Sequence, residues 1–247
     1  MVRAAAGPRP GFSAAGRALW RDPEAVAEGR LPMRAVVGAS PTVEAARAWV
    51  EGGAGDPLRG AGAPALGPWA LRLDGRWRFA RYERPEAVPQ AVLSAEYDDK
   101  GWAALTVPGA WPLQGFDAPH YTNVQMPFPE APPEVPDDNA TGVYRRRFRW
   151  PRAWRGGQVT LELGSAESVV FVYLNGAYLG FSKDSRLPAH FDVTSHLQPG
   201  ENVLALMVVR YSDGSWLEDQ DHWWLSGIHR DIYIYVKNLT CTRSFWE

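Results

Sequence analysis

Short runs of alternating apolar and polar residues, separated by tight-turn dipeptides, fill the chain from Trp69 to about Val236 and constrain its fold most. Asp74-Gly75 predicts a hairpin between the runs at 71–73 and 77–79, and Asn175-Gly176 predicts a second hairpin. Further strands are predicted at 143–150, 158–163, 169–174, 178–181, 202–210 and 231–236. With almost no helical periodicity, this pattern predicts an all-β fold, an antiparallel β-sandwich of the jelly-roll type spanning residues 69–238.

The first part of the chain, residues 1–68, has a different composition, which is rich in Ala, Gly, Pro and Arg. We predict an extended, partly disordered N-terminal arm without a core of its own. One short helix is possible at 44–48, capped by Ser40 or Thr42. The arginines before Asp22 also fit a short transit peptide, and this alternative stays open.

The composition of the chain argues against nucleic-acid binding and membrane association. The net charge of −2 over 247 residues gives no electrostatic basis for binding nucleic acid or an anionic membrane. No apolar run approaches the roughly 18 residues of a membrane span. The single cysteine, Cys241, excludes an internal disulfide and fits a reducing compartment, so we expect a cytoplasmic protein.

The segment 212–228 carries the most distinctive chemistry, because it interleaves carboxylates with tryptophans between two predicted strands. Carboxylates accept hydrogen bonds from hydroxyls or hold hard cations, and flat apolar rings beside them suit a sugar site. A solvated acidic loop with core aromatics is the plainer interpretation and also stays open. Acids this close together cannot all face one ion. Four side chains are candidate metal ligands: Glu218, Asp219, Asp221 and His222.

Support for catalysis within the chain is weak. A retaining glycosidase holds two carboxylates about 5–5.5 Å apart, and Glu218 with Asp221 is a conceivable pair. Both lie on one loop without a second scaffold position, which disfavours the pair. The sequence also lacks a Gly-x-Ser-x-Gly elbow, a phosphate-binding glycine loop and a His-Glu-x-x-His motif. We therefore predict no catalytic residue in this chain.

Several motifs follow one another in a characteristic order: 107–124, 139–146, 174–176, 184–188 and 212–231. Together with Trp20-x-x-Pro23 and the stretch 74–79, they resemble the N-terminal region of the β-galactosidases of glycoside hydrolase family 2. The resemblance runs from about Trp20 to Asn238. It implies a sugar-binding domain, a galactose-binding-domain-like jelly roll, preceded by an arm that helps subunit association.

The resemblance also implies site residues. Asn123 and Asp221 match positions that hydrogen-bond galactose hydroxyls, and the position of Asp221 also helps to hold a sodium ion. An amide offers donor and acceptor, while a carboxylate accepts from hydroxyls and binds cations. Glu218 and Asp219 would then shape the loop. Lys183 departs from the family pattern, in which a neutral residue is commoner.

Catalysis, by the same resemblance, is expected outside this chain. The two catalytic glutamates of the family lie in a downstream barrel, the acid/base within an Asn-Glu pair, and this sequence contains no Asn-Glu dipeptide. The magnesium ligands of the parent enzyme are likewise expected elsewhere, and residues 239–247 would begin an immunoglobulin-like domain. The expected partners are a galactoside substrate and the rest of a β-galactosidase. That remainder is either continuous with this chain or a separate, complementing subunit. The parent enzyme is expected to be a homo-oligomer. A stand-alone lectin-like module is the alternative.

Overall fold

The computed structural model describes residues 10–13, 16–33, 44 and 69–237. In chain order its strands are β1 (Ala27–Glu28), β2 (Ala70–Arg72), β3 (Gly75–Tyr82), β4 (Ala103–Val107), β5 (Gly109–Ala110), β6 (His120–Thr122), β7 (Thr141–Arg149), β8 (Gln158–Leu163), β9 (Val169–Leu174), β10 (Ala177–Ser182), β11 (Ala189–Asp192), β12 (Glu201–Val209), β13 (His222–Trp224), β14 (Gly227–Ile228) and β15 (Ile232–Lys237). The helical elements are α1 (Gly214–Glu218) and short 3₁₀ turns at Leu19–Arg21, Pro85–Ala87, Gln90–Leu93, Pro112–Gln114, Arg152–Trp154 and Thr194–His196.

Two antiparallel sheets pack against each other. The larger has the strand order β1-β10-β9-β12-β7-β3-β4, and the smaller has the order β11-β8-β15-β2. Their facing side chains form one core, to which Val172 of the larger sheet and Phe191 of the smaller belong. The predicted all-β jelly-roll sandwich is confirmed, and the six strands predicted from 143 onward begin and end within two residues of the predicted positions.

The central strands β9 and β12 are buried on both faces. Successive side chains of a strand point to opposite faces. Leu206 and Val208 join the core between the sheets, whereas Met207 and Val209 join a second core on the outer face of the larger sheet. Every residue of β9 is buried for the same reason. Burial of apolar surface stabilises the fold by about 25 cal/mol per Å². Other parts of the chain must therefore pack on this outer face of the larger sheet.

Part of that cover is the arm. Trp20 is fully buried in the second core, with its ring edge-on to Phe12 at 5.0 Å between centroids. β1 then extends the larger sheet by pairing with β10. Gly180 permits this approach, because a Cβ at that position would collide with the carbonyl oxygen of Glu28. The arm was expected to lack a core of its own; in residues 16–33 it shares the core of the sandwich.

The Asp74-Gly75 dipeptide does turn the chain, but the predicted hairpin is wrong. β2 pairs with β15 in the smaller sheet, while β3 pairs with β4 and β7 in the larger one. The Asp74 carboxylate accepts a hydrogen bond from the Ile232 N–H at 2.8 Å, and Gly75 adopts a φ of +104°. Burial raises the pKa of Asp74 to about 6. The turn therefore carries the chain from one sheet to the other.

The Asn175-Gly176 hairpin is confirmed. It connects β9 to β10, and both residues have positive φ, +53° and +82°. Such angles are those of a type I′ turn, whose twist matches that of paired strands. The Asn175 side chain also accepts a hydrogen bond from the Val203 N–H at 2.9 Å, which ties the turn to β12.

Some expectations concern residues outside the described ranges. Of the predicted helix at 44–48 only Glu44 is described, and it is helical. Residues 239–247, expected to begin another domain, lie outside these ranges together with Cys241. Within the described part of the chain, no helix is long and apolar enough to cross a membrane.

Replacing Trp20 with alanine tests whether the arm belongs to the core. Because the ring is fully buried, we expect the free energy of unfolding to fall by about 3–5 kcal/mol. Val26→Ala is the control, since this arm residue is more than half exposed and should change stability by less than about 0.5 kcal/mol. Urea unfolding measures both variants, and equal stability of the two would contradict the account.

Candidate sugar-binding site

The two residues expected to bind sugar lie at the end of a two-stranded ribbon. β6 and β13 pair antiparallel, with Thr122 opposite His222 and Tyr121 opposite Trp223. The last pair is Thr122 with His222; Asn123 directly follows Thr122 and Asp221 directly precedes His222, so both lie at the same end of the ribbon. Both of these side chains are exposed. The structure therefore brings together two residues that are far apart in the sequence.

The name outer face is used for four residues of the ribbon and its end: Tyr121, Asn123, Asp221 and Trp223. Tyr121 and Trp223 are cross-strand partners, whose side chains point the same way, and the Tyr121 hydroxyl bonds to Asp221. Continued alternation of side chains past Thr122 predicts the same side for Asn123. All four are exposed to solvent. An amide, a carboxylate and two aromatic rings thus project from one small surface at the rim of the sandwich.

The opposite, inner face anchors the ribbon to the sandwich. Trp224 is buried in the second core, and its Nε1–H donates a hydrogen bond to Thr122 Oγ1 at 2.6 Å. The Arg210 guanidinium donates to the Trp224 carbonyl oxygen at 3.4 Å and to the Asp117 carboxylate at 3.0 Å. These contacts hold both strands and the loop before β6 in fixed positions.

A hydrogen bond within the outer face orients the carboxylate. The Tyr121 hydroxyl donates to Asp221 Oδ1 at 2.5 Å. This bond raises the pKa of Tyr121, because the carboxylate stabilises the protonated phenol. The other carboxylate oxygen, Oδ2, accepts no hydrogen bond from the described part of the chain. It is available to a ligand.

The two aromatic rings of the outer face are unusually exposed. Tyr121 and Trp223 retain 47% and 55% of their accessible surface. Their ring centroids lie 5.4 Å apart, with an interplanar angle of 44°. Of the three tryptophans in the 212–228 segment, Trp224 packs in the core, and Trp216 contacts Phe128 at 5.4 Å. Trp223 points to solvent, which the sequence analysis did not recognise.

Val124 marks where the chain leaves the ribbon. It has a φ of +47°, and its side chain is exposed. A β-branched residue rarely adopts this conformation, and such positions cluster at functional sites. Sequence reasoning gave no signal for Val124. Tyr121 could have been found, because it lies two residues before Asn123 and strand alternation places both on one face.

Lys183, the residue that departs from the family pattern, connects the arm to the site segment. Its ammonium donates to the Asp213 carboxylate at 2.5 Å and to the Asp22 carbonyl oxygen at 2.7 Å. Burial lowers the pKa of Lys183 and raises the pKa of Asp213, while their mutual attraction opposes both shifts. The Asp213 N–H also donates to the Trp20 carbonyl oxygen at 2.9 Å. The arm therefore holds the start of the 212–228 segment.

Two of the other candidate ligands, Glu218 and His222, bond to groups other than Asp221. Glu218 accepts a hydrogen bond from the Ser185 N–H at 2.8 Å, and burial raises the pKa of its carboxyl. His222 lies on the inner face, 3.3 Å from the Glu218 carbonyl oxygen. Among the described residues no group of three or more His, Cys, Asp or Glu side chains could hold a metal. The four-residue set is not assembled as a metal centre.

Glu167, a buried acid behind the site, was not singled out by sequence reasoning. Its carboxylate contacts His229 Nε2 at 3.0 Å and Arg186 Nη1 at 3.4 Å. Burial by itself raises the pKa of Glu167, but the hydrogen bond with His229 and the positive charge of Arg186 outweigh it and lower the pKa overall. The Glu167 N–H donates to the Gly227 carbonyl oxygen at 2.9 Å. Glu167 therefore fixes the far end of the 212–228 segment.

A jelly-roll sandwich with an amide, a carboxylate and aromatic rings at its rim falls in the class of carbohydrate-binding β-sandwich domains. The model of the family "Glycosyl hydrolases family 2, sugar binding domain" matches residues 71–238, which include Asn123 and Asp221. The chain belongs to this family, a family of glycoside hydrolases.

Curated relatives with similar sequences include β-galactosidases. That of Vibrio cholerae is 49% identical over 174 residues, which cover 70% of this chain and 17% of that protein. That of Erwinia tasmaniensis is 41% identical over 219 residues, or 88% of this chain and 20% of that protein. The chain thus corresponds to a fifth or less of the length of these relatives.

A solved structure shares the fold. The β-glucuronidase of Bifidobacterium dentium, complexed with coumarin-3-O-glucuronide, superposes with a TM-score of 0.51 and 22% identity. The match covers 68% of this chain and 29% of that one. At this identity the likeness concerns the fold alone.

Lys183→Met tests the link between arm and site segment. It leaves the Asp213 carboxylate buried without its partner, so we expect the free energy of unfolding to fall by about 3–5 kcal/mol. The double variant Lys183→Met/Asp213→Leu removes both charges and should regain most of that loss. Urea unfolding of the complete double-mutant cycle measures the coupling. Additive effects of the two substitutions would contradict the pairing.

Proposed function

We propose that this chain binds the terminal galactose unit of a β-galactoside through Asn123 and Asp221, as the sugar-binding part of a β-galactosidase-type glycoside hydrolase. The observation that carries the proposal is that Asn123 and Asp221, both exposed, flank the last pair of the β6–β13 ribbon at the same end. An amide donates to and accepts from hydroxyls, and a carboxylate accepts from them. The β-galactosidase relatives support galactose as the sugar.

We further propose that Asp221 contributes one ligand to a sodium ion. Its Oδ2 is available, and carboxylate oxygens suit hard cations. One carboxylate is not a complete ligand set, so water, sugar hydroxyls or groups outside the described residues would supply the others. We assign no magnesium ligand to this chain.

The reaction proposed for the whole enzyme is retaining hydrolysis of terminal β-galactosides, through acid-assisted departure and a covalent glycosyl intermediate. This chain would bind and orient the sugar. Glu218, the other acid considered, is half-buried and accepts a hydrogen bond from the Ser185 N–H in the loop after β10. We therefore assign no catalytic residue here.

The proposed partner is the remainder of a β-galactosidase, either continuous with this chain or supplied as a complementing subunit of a homo-oligomer. The relatives extend far beyond the matched region, which supports this assignment. We also propose a cytoplasmic location, supported by the single cysteine. A stand-alone galactoside-binding module is the second candidate, favoured by the solvent exposure of the entire outer face.

Galactose binding to the chain tests the proposed site. We expect a millimolar dissociation constant, because an open surface with two polar groups offers little net affinity. Asp221→Asn and Asn123→Ala should each weaken binding, whereas Asp98→Asn, the same chemical change at an exposed acid outside the ribbon, should not. A ¹H–¹⁵N NMR titration measures all four proteins. Unchanged binding by Asp221→Asn would contradict the site, and micromolar affinity of the wild type would favour the stand-alone module.

Hydrolysis measurements test whether this chain binds the sugar without catalysing bond cleavage. The purified chain should not cleave a chromogenic β-galactoside, because it orients the sugar without supplying the acid and nucleophile. A full-length β-galactosidase serves as the positive control in the same assay. Turnover that copurifies with the chain and survives Asp221→Asn marks a contaminant. Turnover that this substitution abolishes would overturn the assignment.

A further inference from the structure

The Tyr121–Trp223 pair has no structural use that accounts for its exposure. Two large rings are neighbours on a two-stranded ribbon, with their planes inclined at 44° and roughly half of each ring open to solvent. The opposite face of the same ribbon buries Trp224, so the packing of the ribbon does not require the outer rings. Exposed apolar surface beside convergent polar groups marks a binding site.

We propose that Tyr121 and Trp223 form an aromatic platform that binds the apolar face of a pyranose ring. One face of a pyranose displays C–H groups, which pack on aromatic rings, while its hydroxyls point outward to polar partners. The proposal rests on the galactoside function proposed above and extends it to two residues. The platform would contact the same sugar unit that Asn123 and Asp221 hold.

The spacing within the outer face supports one shared ligand. Asn123 lies two residues after Tyr121, just beyond the end of β6, and Asp221 lies two residues before Trp223, just ahead of β13. Two residues of a strand span about 7 Å. A single sugar ring that lies on the aromatic pair can therefore direct its hydroxyls toward the amide and the carboxylate.

The platform is held in place before any ligand arrives. The β6–β13 ladder fixes the two backbones, and the Tyr121 hydroxyl is bonded to Asp221 at 2.5 Å. One ring thus shares a hydrogen bond with the carboxylate proposed to bind the sugar. Side chains that are ordered in advance lose less conformational entropy on binding.

Trp223→Ala tests the platform, with methyl β-galactopyranoside and galactitol as ligands. Galactitol carries the hydroxyls of galactose but has no ring face. We expect Trp223→Ala to weaken galactopyranoside binding roughly three- to tenfold, with most of the affinity kept by Trp223→Phe. Galactitol binding should not change. Leu113→Ala is the control, since Leu113 is also largely exposed but lies outside the ribbon.

The outcomes separate this inference from the function on which it rests. If Trp223→Ala binds galactopyranoside as the wild type does while Asp221→Asn does not, the platform is refuted and the sugar site stands. If neither substitution changes binding, both are refuted. Equal weakening toward galactitol would also refute the platform, because galactitol lacks the ring face that the platform is proposed to bind. A ¹H–¹⁵N spectrum of each variant confirms that it is folded.

Discussion

The burial of β9 and β12 on both faces is the constraint on which the rest of the structure depends. A sheet with apolar side chains on each side needs two layers of cover, and the smaller sheet supplies only one. The arm, through Trp20, and the inner face of the β6–β13 ribbon, through Trp224, lie in the second layer. The candidate site therefore lies in the layer that packs on the outer face of the larger sheet. The arm belongs to the same layer.

This arrangement explains how a small ribbon can present a defined site. An isolated two-stranded ribbon is marginally stable in water. Here Trp224 is buried beneath the ribbon, and Arg210 bonds to its backbone. Lys183 and Glu167 secure the two ends of the 212–228 segment. With the inner face fixed, strand alternation leaves the outer face free to carry polar and aromatic groups at set positions.

Much of the fold could be predicted from sequence, since strand alternation and the Asn175-Gly176 turn are local signals. Asp74-Gly75 has an equally strong local signal, but its flanking strands, β2 and β3, belong to different sheets. Long-range contacts decide this: β2 pairs with β15, and Asp74 accepts a hydrogen bond from the Ile232 N–H. Family motifs pointed to Asn123 and Asp221, and the pairing of β6 with β13 brings both to one end of the ribbon, although their roles remain proposals. The burial of Trp20 and the exposure of Trp223 could not be predicted from the sequence. Both depend on contacts with strands that are distant in the sequence.

We propose that the β6–β13 ribbon carries a sugar site formed by residues distant in sequence. Intermolecular nuclear Overhauser effects between methyl β-galactopyranoside and the isotopically labelled chain test it most directly. The account predicts contacts from the sugar protons to the side-chain amide of Asn123 and the ring of Tyr121. Contacts confined to another surface, with none to either strand of the ribbon, would contradict it.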